Sequence, residues 1–348
     1  MQKKHFIAIV TAVAAAFTLN AKATPAKGGK APAWINTPAK VYPAEKYMYS
    51  VGNAGDRGSA ELKAVQGLAA MFSQNIDSDT TAEKRLLQGM ADGTVATASI
   101  ASFDMKVTRT VSQSDLIGIE IPEYYQDEKH SVWYAIAVID KGKVSALYED
   151  MIKKNNESVQ KLLSKVTDAS LDSYAFCDYA ADIARLNEGY MARLTVINSD
   201  AAARLQSSCK SSKDIKITLM EIAGKIPVRV SIENDEDGNI AAAFSDVITS
   251  HGFKTTKDSL SRYSFTGSVK FSESKTSDGT NVHCRYEITT YLKDNAKGTE
   301  LFPFTLTGRD AHVDFAGAKI RAKKSIEKKI KSDFNAKFSG YLKQLSAD

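Results

Sequence analysis

The chain has 348 residues, 43% of them hydrophobic, a formal net charge of +5 and three cysteines. That length suggests about two domains, and three cysteines match no staple framework; they leave either one disulfide or, the reading favoured here, three unpaired thiols. Without Lys3, Lys4 and Lys22 the balance falls from +5 to +2, so charge gives no argument for nucleic-acid binding.

Lys3 and Lys4 precede an apolar run from Phe6 to Leu19, and Ala21-Lys22-Ala23 puts small residues where a signal peptidase reads. Residues 1–23 therefore read as a secretory signal peptide, too short for a comfortable membrane span, with an uncleaved anchor as the alternative. The first cysteine is Cys177, so this N-terminus offers no thiol for lipidation, and no later stretch is apolar enough to cross a bilayer. Residues 24–33 are a linker rich in Lys, Gly, Ala and Pro, and order is expected from Trp34.

Tyr47 to Val51 reads as a strand, and Ala60, Ala64, Leu68, Phe72 and Ile76 recur every four residues along one helix face. Asp56 stands where an N-cap belongs. Between strand and helix lie Gly52, Gly55 and Gly58. Their G-x-x-G-x-x-G spacing is neither the dinucleotide fingerprint nor a P-loop, and Asp56 places negative charge where a phosphate would sit. The glycines are expected to serve a tight turn that needs positive φ or close approach.

A short helix is expected within Asp77 to Gly93, then strands at Val95 to Val111, Leu116 to Ile121 and Val132 to Ile139. In the last, Val132, Tyr134, Ile136 and Val138 share a face, and the polar "YYQDEKHS" (124–131) reads as a hairpin connection. One helix on an antiparallel sheet gives an α+β module over 34–150. From Lys143 to Leu205 the chain is almost continuously helical, marked by Leu147, Met151, Val159, Leu162, Leu163 and Val166, then by Tyr174, Ala181, Arg185, Tyr190 and Leu194. Asn198 or Ser199 caps a short third piece. Residues 151–211 are expected as a helical connector, serving as a brace or packing on the first domain.

The C-terminal domain, 212–348, restarts with a helix from Ser212 to Gly224, a strand at Val228 to Ile232 and a helix from Ile240 to Ser250 with Gly252 after it. Strands follow near Phe253–Thr256, Tyr263–Ser272, Val282–Leu292 and Leu301–Thr307, and a long helix from Phe315 to Leu345 closes the chain. The order is again α+β.

The residues from Pro32 to Ile76, with "LIGIEI" and "VWYAIAVID", resemble the LPP-twenty lipoprotein family, and the same module is similar to the N-terminal part of flagellar assembly protein T. The resemblance covers Trp34 to Asp150. Its most specific pieces are the Pro-x-Trp opening, the Tyr-Pro turn, the Asp56-Arg57 step and the Trp133-Tyr134-Ala135 strand. It implies envelope association and carries over no catalytic residues; the chain departs from the family in lacking the lipidation cysteine.

No constellation carries chemistry. "ENDEDGNI" (233–240) has calcium-loop spacing, but Phe244 stands where the bidentate Glu is needed, so a solvated turn is expected. His283 and Cys284 alternate across a strand and cannot form a dyad, and Asp310 with His312 lacks a serine motif. His251 reads as a cation at a helix C-terminus. No catalytic, cofactor or metal residue is assigned. Two faces remain as candidates. Trp34, Tyr124 and Tyr125 could form an aromatic surface, although sheet packing explains most aromatics of this module. Lys319, Arg321, Lys324, Lys328 and Lys331 could form a basic face on the terminal amphipathic helix. The expected protein is an exported, non-enzymatic envelope protein that binds or scaffolds in the periplasm, peripheral to the outer membrane. Its expected partners are envelope proteins or an anionic envelope surface, not nucleic acid. An appendage-assembly factor and a hydrolase with a site invisible in sequence are the alternatives.

Overall fold

The computed structural model describes residues 31–72, 116–275 and 282–345. The expected signal peptide, the helix within 77–93 and the strand at 95–111 lie outside the described residues. Within them the chain is α+β, with helices, one antiparallel sheet and one mixed sheet. It divides into two units. One comprises residues up to Asn155 plus Leu186–Cys209, the other Asn156–Arg185 plus Lys210–Asp348, so two of the three boundaries fall inside the long helices and the third in the turn after Gln206.

The first unit opens with single turns α1 (Ala33–Asn36) and α2 (Pro38–Val41), then β1 (Tyr47–Ala54) and helix α3 (57–72). β2 (Ile119–Asp127) and β3 (Val132–Asp140) form a hairpin, and the antiparallel order is β1-β3-β2. β2 runs through Tyr124 and Tyr125, which were expected in the connection. A register shift between Glu120 and Glu123, around Pro122, lets the strand resume beyond "LIGIEI". α4 (Lys141–Ser164), α5 (Leu171–Ile197) and α6 (Ser199–Gln206) follow, and Asn198 caps α6 by accepting from the Ala201 amide at 3.1 Å.

One sheet face is covered by helices: Ala135, Ala137 and Ile139 pack with Ala60, Ala64, Leu68, Phe72, Tyr148 and Leu194. Asp56 caps α3, accepting from the Ser59 amide at 2.9 Å. The glycines behave unequally. A Cβ on Gly52 would overlap the Ala60 carbonyl and the Ala64 amide, so β1 and α3 touch backbone to backbone. Gly55 faces open space and needs no positive φ. Close approach, at one glycine, is what the turn requires. In α4 the buried set here is Val144, Tyr148 and Ile152, one residue on from the expected Leu147, which is exposed.

The second unit contains α7 (Ser212–Gly224), β4 (Pro227–Glu233), α8 (Asn239–Ser250), β5 (Lys254–Thr256), β6 (Tyr263–Lys275), β7 (Val282–Asp294), β8 (Thr299–His312), α9 (Phe315–Lys329), a π-helical turn (Ile330–Phe334) and α10 (Asn335–Gln344). Its sheet order is β5-β4-β6-β7-β8, with β4 parallel to both neighbours and the last three strands antiparallel. Gly252, at φ +90°, ends α8 as expected. Segment 151–211 contributes Ile152, Leu194 and Ile197 to the first core and Val159, Tyr174 and Cys177 to the second. The three cysteines are free thiols, Cys177 and Cys284 buried and Cys209 partly so.

Candidate interaction face

The terminal helix begins at Asp314, whose carboxylate accepts from the Gly317 amide at 2.6 Å. Its buried stripe is Ala318, Ala322, Ile326, Ile330, Phe334, Phe338 and Leu342, every fourth residue without exception. On an ideal α-helix a four-residue repeat drifts by about 40° per step, which would carry the stripe off the sheet. The π turn at 330–334 takes more residues per turn and returns the seam to the core. Phe334 is thereby set among Phe244 (4.8 Å between centroids), Phe265 (5.0 Å), Phe304 (5.2 Å) and Phe338 (5.4 Å).

Around this stripe the cations fall into three groups. On one flank Lys319 pairs with Glu236 at 3.3 Å and Lys323 pairs with Asp237; further along, Lys331 lies 3.9 Å from Asp246. The loop read as a solvated turn is therefore the counter-charge of the helix. On the other flank Arg321 donates to the Ala311 carbonyl at 3.1 Å and Lys329 to the Thr307 carbonyl at 3.5 Å. Both acceptors belong to β8, the long edge strand of the sheet, so these side chains also cap backbone groups that would otherwise template another strand. Between the flanks runs a ridge of Ile320, Lys324 and Lys328, four residues apart and all exposed, with Ile320 57% exposed. Neither lysine has an ion-pair or hydrogen-bond partner among the described residues. The expected basic face is thus narrower than its sequence: Lys319 and Lys331 are spoken for by acids, Arg321 is held by β8, and Lys324 and Lys328 remain.

The aromatic surface is corrected outright. Trp34 is 1% exposed and Tyr125 8%; both lie in a cluster with Ile136 and Val138, where the N-terminal turns cover the second face of the small sheet. Tyr124 is half-buried, under the Arg57 guanidinium at 3.8 Å and 6.1 Å from Trp133. Arg57 in turn pairs with Glu61 at 2.6 Å, a contact that sequence reasoning passed over. His251 is also corrected. Its Nε2 lies 3.0 Å from Asn335 Oδ1 and its ring meets Phe338 edge-on; burial pushes its pKa down, against the pull of the Asn335 contact, so its surroundings disfavour the charged form.

Among the described residues an open depression of about 450 Å³ lies between Glu45, Lys141 and residues 195–199, and another of about 540 Å³ on β6–β8. No group of three metal-ligating side chains occurs among the described residues. No helix among them is long and apolar enough to cross a membrane.

Neither a known protein family nor a curated protein matches the chain. Solved structures similar to it include a secreted protein of Helicobacter pylori (14% identity, TM-score 0.38, covering 74% of this chain and 86% of that one). Others are a minor lipoprotein of Acinetobacter baumannii (15%, 0.25, 35% and 91%) and lipoprotein B of Nitrosomonas europaea (20%, 0.23, 35% and 82%).

Proposed function

We propose that this is an exported, non-enzymatic envelope protein that rests on an anionic surface through the ridge Ile320–Lys324–Lys328. The observation that carries the reading is selective neutralisation. Lysines on the flanks are matched to acids or carbonyls, whereas the two on the ridge are left to solvent beside an exposed isoleucine. An apolar residue flanked by free lysines suits a headgroup layer, where the ammonium groups meet phosphates and the aliphatic side chain enters the boundary. Export is supported by the N-terminal pattern of Lys3, Lys4 and the apolar run, and envelope association by the resemblance over Trp34 to Asp150.

Each lysine near an anionic membrane contributes about 1 kcal/mol, so losing two weakens binding by roughly 30-fold. The test is cosedimentation with phosphatidylglycerol-containing vesicles at low and high salt, comparing wild type with Lys324→Gln/Lys328→Gln. The expected result is salt-sensitive binding that the double variant loses while its thermal unfolding stays unchanged. Wild-type protein that stays in the supernatant at low salt contradicts the proposal.

A further inference from the structure

We propose a separate oxyanion site on the opposite face of the large sheet, in which Arg285 and Arg309, with Ser272 and Lys270, bind the phosphate of a hydroxyl-bearing phosphoester. Strand alternation exposes this face. Cys284 and Tyr286 are buried toward the helices, whereas Arg285 and Glu287 between and beyond them point to solvent. Register then assembles the row: Ser272 is opposite Arg285, and Arg285 is opposite Arg309. The adjacent row is Lys270, Glu287 and Thr307. These six side chains line the open depression of about 540 Å³.

Two features separate this row from an ordinary solvated strand. Like charges directly opposite on neighbouring strands repel, yet none of Lys270, Arg285 or Arg309 is in an ion pair with a described residue. Half-buried Arg262 of the same unit, by contrast, is matched by Asp168 at 3.2 Å and Asp294 at 3.4 Å. The row is also supported from beneath. Gly308 admits the Tyr286 ring under the strand pair, since a Cβ there would overlap that ring. Packed support of this kind limits how far the two arginines can separate.

The donors choose the ligand. Two planar guanidinium forks side by side match two edges of a tetrahedral oxyanion, and Ser272 and Lys270 supply further donors. Glu287, standing among these cations, repels a purely acidic chain but accepts a hydroxyl hydrogen. A phosphate on a polyol satisfies both demands. Glycerol phosphate is the simplest probe with that chemistry, and it occurs both free and as a lipid headgroup.

The experiment is calorimetric titration of the full chain with glycerol 3-phosphate and with inorganic phosphate. Variants are Arg285→Gln, Arg309→Gln, Glu287→Gln and the ridge pair Lys324→Gln/Lys328→Gln. Wild type should bind glycerol 3-phosphate saturably and in preference to inorganic phosphate. Either arginine variant should lose about tenfold or more, the range for a lost charge-assisted hydrogen bond. Glu287→Gln should erase the preference for the polyol ester, and the ridge variant should bind as wild type does. In the vesicle assay, Arg309→Gln protein that still cosediments assigns a free ester, and loss of cosedimentation assigns a headgroup. No saturable heat from wild type at millimolar ester, or equal binding by Arg285→Gln, overturns the site. Because the ridge variant is scored separately, that failure leaves the reading of the terminal helix standing.

Discussion

Replacing Gly52 by Ala places one methyl group against two backbone atoms of α3, the Ala60 carbonyl and the Ala64 amide, neither of which can rotate away. Relief requires β1 and α3 to part, and the parting loosens Ala60, Ala64 and Leu68, all 0% exposed. Overpacking of this kind costs about 1–3 kcal/mol, and the loss of a glycine from the unfolded chain returns about 0.4–1 kcal/mol. The net expected loss is about 1–2 kcal/mol. Gly55→Ala is the internal control: its Cβ meets nothing within 4 Å and its φ is not positive, so only the unfolded-state gain remains and the variant should be neutral or slightly more stable. The assay is urea unfolding followed by tryptophan emission. Both tryptophans of the chain, Trp34 and Trp133, lie in the first unit, so the signal reports that unit alone. Equal midpoints for Gly52→Ala and wild type, or a larger loss for Gly55→Ala, would refute the close-approach argument.

Phe334→Ala should empty the centre of the second core at a cost of about 3–5 kcal/mol. It should lower the unit's melting by calorimetry while leaving the tryptophan transition of the first unit in place. Asp178 should make the second unit pH-dependent: burial and the neighbouring Asp182 push its carboxyl up to about 6, against the pull of Lys343 and Lys216. A raised carboxyl pKa means that its stabilisation is complete below the unfolded value of about 4 and lost as pH rises through about 6. Asp178→Asn should therefore remove a slope on the order of 1–3 kcal/mol between those limits, read from denaturation midpoints against pH, and an unchanged slope would contradict it. His251 works the other way, since a depressed imidazole pKa costs stability as pH falls below its ordinary value near 6.5. His251→Gln should flatten that acid limb.

Local periodicity and caps were legible because they depend on nearest neighbours along the chain. The Ala60-Ala64-Leu68-Phe72 face, the Asp56 and Asn198 caps, the Gly252 stop and the seven elements from β4 to the terminal helix all follow from spacing of three to four or two. What spacing could not supply was the second face. Trp34 and Tyr125 looked presentable until the N-terminal turns were seen to close over the small sheet. The neutralisation of Lys323 depends on Asp237, 86 positions away, and the placement of the His251 ring on its contact with Asn335, 84 positions away. Charge pattern on one helix therefore overstated the free cations, and only the tertiary contacts divide ridge from flank. The Arg285–Arg309 row has the same origin, because register between strands is invisible until the strands are paired.

A photo-crosslinking residue introduced at position 324 in the natively expressing cells tests the proposed role of the ridge most directly. Leu62, exposed on α3, serves as the comparison position. Irradiation should yield envelope-fraction adducts from position 324, carrying lipid or an anionic envelope component, that position 62 does not give and that high salt suppresses. Protein retained in the cytoplasmic fraction, or adduct patterns identical at the two positions, would contradict the assignment of this chain to an anionic envelope surface.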